Sequence, residues 1–267
     1  MAGRVHAGRA EGLDRRARIL GIRIHNLTME ESLQAILSRL DRPGAGQVSF
    51  VNAHCANLAW KDPEYRRILD TSDLVFADGI GMQVAGRILG CPIRDNVNGT
   101  DLFPRLCAIL EGTGKRVFLL GGRDGVAAGV RGWIARHHPG TVVCGIQNGF
   151  FSLAEEDQIV ARIRDARADV LLVALGVPAQ EKWIARVQAD TTARLAFGVG
   201  GLFDFYSGRI PRAPGWMQRS GVEWVWRLAQ EPGRMWKRYL LGNFTFLFCV
   251  LRERFRGLPA ARFQEDR

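Results

Sequence analysis

The sequence predicts an α/β protein: a mainly parallel sheet with helices on both faces, followed by a basic, tryptophan-rich helical appendage. Three observations carry this. Short apolar runs alternate with longer amphipathic segments, as buried parallel strands alternate with the helices that join them. Most of these runs stop at glycines. The composition also changes after Asp204. From Phe205 to Arg256 there are ten basic residues against three acidic ones, and four of the seven tryptophans fall there.

Taken in order, residues 1–18 are basic and rich in Gly and Ala, and are expected to be flexible. Ile19 to Ile24 reads as one short strand. Thr28-Met29-Glu30-Glu31 is a capping box that opens a helix to about Leu40. Gln47 to Val51 is a strand, and a helix runs from Asn52-Ala53-His54 to about Trp60. Lys61-Asp62-Pro63 breaks that helix before a short one over Glu64–Leu69. Leu74–Ala77 is a strand, Met82–Leu89 a helix, and Leu102–Leu110 another. Strands then fall at Lys115–Leu120, Val142–Ile146, Asp169–Leu175 and Leu195–Val199. Helices fill the gaps at Gly125–His137, Leu153–Ala166 and Glu181–Val187.

The stretch from Asp73 to Pro104 organises the rest. Its apolar run stops at Asp78-Gly79-Ile80-Gly81, which puts Asp78 at the carboxyl end of a strand and just before a helix. Ligands of open α/β sheets bind there, although Asp is also a favoured N-cap. A second acidic turn, Asn98-Gly99-Thr100-Asp101, again leads into a helix. Gly79 and Gly81, Gly121 and Gly122, Gly176, and Gly200 and Gly201 end strands. Glycine there lets helix amides approach a phosphate, so a nucleotide-type ligand is expected along one sheet edge.

The 267 residues are 47% hydrophobic and carry a net charge of +10, enough for a real core and suited to an anionic partner: a nucleotide, a nucleic acid or an acidic membrane. Cys55, Cys91, Cys107, Cys144 and Cys249 show no CxxC spacing and read as the reduced thiols of a cytosolic protein. No signal-peptide pattern and no apolar window of about 18 residues is present. Gly112-Thr113-Gly114-Lys115 precedes a strand rather than following one, so it is no phosphate loop. No GxGxxG follows a strand, and no Asp-x-Asp pair offers a metal site. Tyr239–Leu251 is apolar but too short to span. With its basic and tryptophan neighbours it fits either a membrane interface or a helix packed on the sheet.

The chain resembles the WecG/TagA/CpsF family of bacterial glycosyltransferases. The resemblance rests on Phe50-Val51-Asn52-Ala53, Ala77-Asp78-Gly79-Ile80-Gly81-Met82, Asn98-Gly99-Thr100-Asp101-Leu102, Gly176 to Glu181 and Gly200 to Phe205. Arg212-Ala213-Pro214, Trp216-Met217-Gln218, Glu223-Trp224 and Glu231-Pro232 through Arg238-Tyr239 extend it. It implies a Rossmann-like core over 19–204, a membrane-associating helical appendage over 205–256 and a flexible tail over 257–267. It further implies an inverting, metal-independent transferase without cofactor. Such an enzyme moves a hexose, N-acetylmannosamine in the best-known members, from a UDP-sugar to a polyprenyl-diphosphate-linked sugar at the cytoplasmic face.

By that resemblance Asp78 is the base. Asn52, Asn98, Asp101, Gly121, Gly122, Gln180, Glu181, Asp204, Arg212, Arg219 and Arg227 are the candidate substrate- and UDP-binding residues. The chain departs from the family pattern at Phe50, where many members have Thr, and at Asn96, where several have Arg, so the donor sugar stays open. The implied partners are the donor, the lipid-linked acceptor and an anionic inner-leaflet membrane, with homo-oligomers possible and no nucleic acid. Within the family the alternative is an exopolysaccharide glucosyl- or hexosyltransferase. Two readings of other classes are a non-catalytic basic protein that docks on membranes or RNA, and an oxidoreductase. The first leaves the glycine-ended strands without a purpose, and the second lacks its fingerprint.

Overall fold

A computed structural model describes residues 15–256. The chain opens with an antiparallel hairpin, β1 (Arg16–Ile19) and β2 (Ile22–His25), in which Ile19 faces Ile22. The sequence predicts a single strand here. Leu20 and Gly21 instead both take positive φ, 49° and 73°, the geometry of a two-residue hairpin turn. Among the described residues, regular structure therefore starts at Arg16, ahead of the boundary expected at 19. The expected flexibility of 1–14 and 257–267 lies outside the described residues.

Helix α1 (Met29–Leu40) follows, with the expected capping box between Thr28 and Glu31. The main sheet contains β3 (Gly46–Val51), β4 (Leu74–Ala77), β5 (Arg116–Gly121), β6 (Val142–Gln147), β7 (Val170–Ala174) and β8 (Leu195–Gly198). All its pairings are parallel, in the order β4-β3-β8-β7-β5-β6. This is the α/β architecture that the sequence predicts. The helices between strands are α2 (Ala53–Lys61), α3 (Pro63–Thr71), α4 (Ile80–Leu89), α5 (Gly99–Leu110), α6 (Val126–His137), α7 (Leu153–Asp165) and α8 (Ala179–Thr191). One core lies where α1, α5 and α6 cover the sheet, centred on Phe76, Phe103, Phe197 and Phe203. On the other face α2 and α4 pack over β3 and β4 and reach the hairpin, while α7 and α8 cover β5 and β7.

The topology decides where a ligand can sit. From β3 the chain moves outward to β4 at one edge, crosses to β5 and β6 at the other, and returns inward through β7 to β8. Beside β3 the direction of travel reverses. In such sheets the carboxyl ends at the reversal leave a crevice that no helix fills.

After β8 come three short helices, α9 (Leu202–Tyr206), α10 (Gly215–Arg219) and α11 (Glu223–Gln230). A rod follows, made of α12 (Pro232–Trp236), a π-helical turn over Lys237–Leu241, and α13 (Gly242–Phe255). On α13, Phe246 and Val250 are buried in the core formed by α2, α4 and the hairpin. Phe244 and Phe248 on the same helix are 76% and 66% exposed. One side of α13 thus packs on the body, as the second reading of the apolar run expects, and the other faces solvent. No helix among the described residues is long and apolar enough to cross a membrane.

Candidate active site

A cleft of about 990 Å³ lies over the carboxyl ends of β3, β4, β7 and β8, roofed by α11 and the C-terminal rod. Asp78 and Asn52 sit in it, one residue beyond adjacent strands. Asp78 continues the sheet through its N–H, which donates to Val51 O at 2.9 Å. Its carboxylate caps no helix. The N-cap of α4 is Gly79, at φ 91° and ψ 160°, a backbone conformation open only to glycine. The carboxylate is therefore free for the cleft, and Asn52 Nδ2 donates to its Oδ2 at 3.3 Å. Asn52 cannot turn its amide round, because its Oδ1 already accepts the N–H groups of His54 and Cys55, each at 3.1 Å, as the N-cap of α2. Asn96 fixes the same turn by accepting the N–H of Gly79.

Burial pushes the Asp78 carboxyl above the usual range. The Asn52 hydrogen bond and the positive charges of Arg238 and Arg227 pull the other way without cancelling it. Burial and the charge of Arg238 hold His54, also on the cleft wall, down at about 4, so its imidazole is neutral at physiological pH.

The loops after β7 and β8 are tied together by Gln180. Its Oε1 accepts the N–H of Gly176 at 3.2 Å and of Gly200 at 2.9 Å, and its Nε2 donates to Glu181 Oε1 at 2.8 Å. Glu181 lies wholly behind the cleft, with Oε2 unpartnered and its carboxyl pushed up to about 7 by burial. It braces the wall from behind through Gln180.

The C-terminal cations divide into two kinds. Arg227 lies over Gly201, in the space a Cβ there would take, with its guanidinium 5.2 Å from the centre of the Phe205 ring. Arg238 and Lys237 line the cleft beside it. Among the described residues none of these three makes an ion pair, which leaves their charge for an anion. Arg212, in contrast, is consumed: it pairs with Asp101 and, at 3.3 Å, with Glu223. Asp101 is itself held by Asn98, whose Nδ2 donates to its carboxylate at 2.7 Å. Through these pairs Arg212, expected as a phosphate ligand, links α5 to α11.

Of the remaining expected site residues, Asn98 lines the cleft, whereas Asp101, Asp204, Arg219, Gly121 and Gly122 do not. Asp204 pairs with Arg209 at 2.8 Å, and Arg219 is exposed. Gly121 and Gly122 serve packing. A Cβ on Gly121 would collide with the backbone of Ala174, and Gly122 O accepts the N–H of Gly149 at 2.8 Å. His54, Glu223, Lys237 and Arg238 belong to the cleft, yet sequence reasoning misses them as site residues. A signal exists for His54, two residues beyond Asn52. Glu223, Lys237 and Arg238 lie within the stretches Glu223-Trp224 and Glu231 to Tyr239 that carry the resemblance, but nothing there singles them out from their neighbours.

Among relatives, the chain matches the model of the glycosyl transferase WecG/TagA/CpsF family over residues 17–259. It is 32% identical over 236 residues to the N-acetylglucosaminyldiphosphoundecaprenol N-acetyl-beta-D-mannosaminyltransferase of Bacillus subtilis (strain 168), covering 86% of this chain and 91% of that protein. The enzyme of the same name from Bacillus spizizenii (strain ATCC 23059 / NRRL B-14472 / W23) is 31% identical over 201 residues, 75% of this chain and 77% of its own length.

Proposed function

The chain belongs to the WecG/TagA/CpsF family of glycosyl transferases, and on that premise we propose that it transfers N-acetylmannosamine from a UDP-sugar to an N-acetylglucosaminyl-diphosphate-polyprenol. The observation that supports this best is the carboxylate of Asp78, placed one strand from the reversal point of the sheet, oriented by Asn52 and close to the charges of Arg238 and Arg227, which make no ion pair among the described residues.

Asp78 accepts the proton of the acceptor hydroxyl as that oxygen attacks the anomeric carbon of the donor. The bond to the diphosphate oxygen breaks on the opposite face, and UDP leaves. One displacement inverts the anomeric centre, which agrees with the beta linkage in the relatives' names. A carboxyl raised by burial is the stronger base once ionised. Arg227, Arg238 and Lys237 offset the charge that builds on the leaving diphosphate. Metal independence is part of the proposal: these cations take the role, and among the described residues no group of three or more His, Cys, Asp or Glu converges as a ligand set. The protein works on the inner face of the plasma membrane. Support comes from the exposed Phe244 and Phe248 on α13, with Arg252, Arg254 and Arg256 at its end.

The test is UDP release by the purified chain with a short polyprenyl-diphosphate-linked N-acetylglucosamine, against a panel of UDP-hexoses with EDTA and with magnesium. UDP-N-acetylmannosamine is the expected donor. Turnover with a different UDP-hexose alone would replace it, and Phe50 and Asn96, both on the cleft wall, would be the residues to examine. Silence with every donor overturns the assignment.

A further inference from the structure

The cavity that holds Asp78 does not end at the cations. It continues between α4 and α13. One wall carries Ile80 and Val84, one helical turn apart. The other carries Phe246, Leu247 and Val250, whose spacing puts them on one helix face. Phe246 and Val250 form a buried floor, yet Ile80, Val84 and Leu247 are 37%, 39% and 40% exposed. These are large apolar side chains. Of the rod's described charged residues only Lys237 and Arg238 line the cavity, and Lys61, Asn57, Asn243 and Thr245 add polar lining on the α2 and α13 side. Along the rod the cations come first. The apolar residues come after them, and from Arg238 to Val250 the helix advances roughly 18 Å.

We propose that this groove holds the first isoprene units of the acceptor lipid, next to its diphosphate. The inference rests on the acceptor class proposed above and adds the place where its chain lies. The order of polarity along the cavity matches that of the molecule. A sugar hydroxyl goes to Asp78, a diphosphate to Arg227, Lys237 and Arg238, and a hydrocarbon to Ile80, Val84 and Leu247. Burying a few methylenes there raises affinity by about tenfold or more.

The experiment compares the binding of farnesyl diphosphate and inorganic diphosphate to the full chain by calorimetry, without membranes. Farnesyl diphosphate is expected to bind at least about tenfold tighter. In Val84→Asn and Leu247→Asn, both at half-open positions and checked for folding by circular dichroism, the ratio should fall towards one. Equal affinities in the parent chain, or an unchanged ratio in both variants, overturn the groove. If the variants lose binding to anionic vesicles while the ratio holds, the face is a membrane contact and the groove is likewise overturned. UDP release is measured in parallel. Its absence defeats the functional reading, while a flat farnesyl ratio with normal UDP release defeats the groove alone.

Discussion

Asn52 and Asp78 meet across the ends of two neighbouring strands, with the amide of one locked by its helix cap so that its N–H₂ can face only the carboxylate of the other. The pairing makes the base and its orientation inseparable from the fold. Replacing Asp78 with Asn should lower kcat by about 10²–10⁴-fold, the range for loss of a general base, with UDP affinity retained. Asn52→Ala should lower kcat less and destabilise the protein by about 1 kcal/mol through the lost cap. Steady-state kinetics with thermal melts separate the two effects.

The raised Asp78 carboxyl has a signed consequence for pH. Its folded value lies above its unfolded one. The ionised group therefore costs stability, with no cost at pH below the unfolded value and the full cost above the folded one. Activity should fall on the acid side at a higher pH than for an exposed aspartate. Asp78→Asn should raise Tm at pH 7 and lose that advantage at low pH, which melts across a pH series will show.

Glu181 has the same sign in a different window. Its carboxyl rises from 4.5 to about 7, so its contribution is complete below about pH 4.5 and lost as pH climbs through 7. Glu181→Gln keeps an acceptor for Gln180 Nε2 and removes the titration. Tm plotted against pH should fall less steeply between 5 and 8 in the variant than in the parent. Identical slopes would show that Glu181 does not titrate there.

Arg212 and Arg227 should fail differently. Arg227→Ala removes an unpaired cation and should lower kcat/KM by about 10²-fold, the loss expected for a charge that stabilises a leaving group, without changing Tm. Arg212→Ala leaves Asp101 and Glu223 facing each other. It should be rescued in part by Asp101→Asn, because the partners share one network. A double-mutant cycle read in Tm and kcat/KM decides it: additivity would return Arg212 to the phosphate.

Strand ends are legible from sequence because apolar runs and glycines are local signals, and Asp78, Asn52 and Gln180 stand out that way. Gly121 and Gly122 carry the same signal yet lie away from the cleft. The difference lies in strand order, which places β5 beyond β7, and nothing in the local sequence states that order. The β1–β2 turn escapes a sequence reading because Leu20 takes a left-handed conformation that a leucine rarely adopts. The arginines of the C-terminal segment look alike in one dimension. Only the fold shows that Arg212 has two carboxylates and Arg227 an aromatic ring.

The π-helical turn at Lys237–Leu241 acts as a phase shifter. Each added residue rotates the downstream helix by about 100° relative to an uninterrupted one. The turn itself carries Lys237 and Arg238 on the cleft wall; downstream the rod drives Phe246 and Val250 into the body of the protein. The two halves can thus change independently in sequence but not in length. Shortening the turn by one residue would throw anchor and cations out of step, a defect that no side-chain substitution elsewhere in the rod could restore.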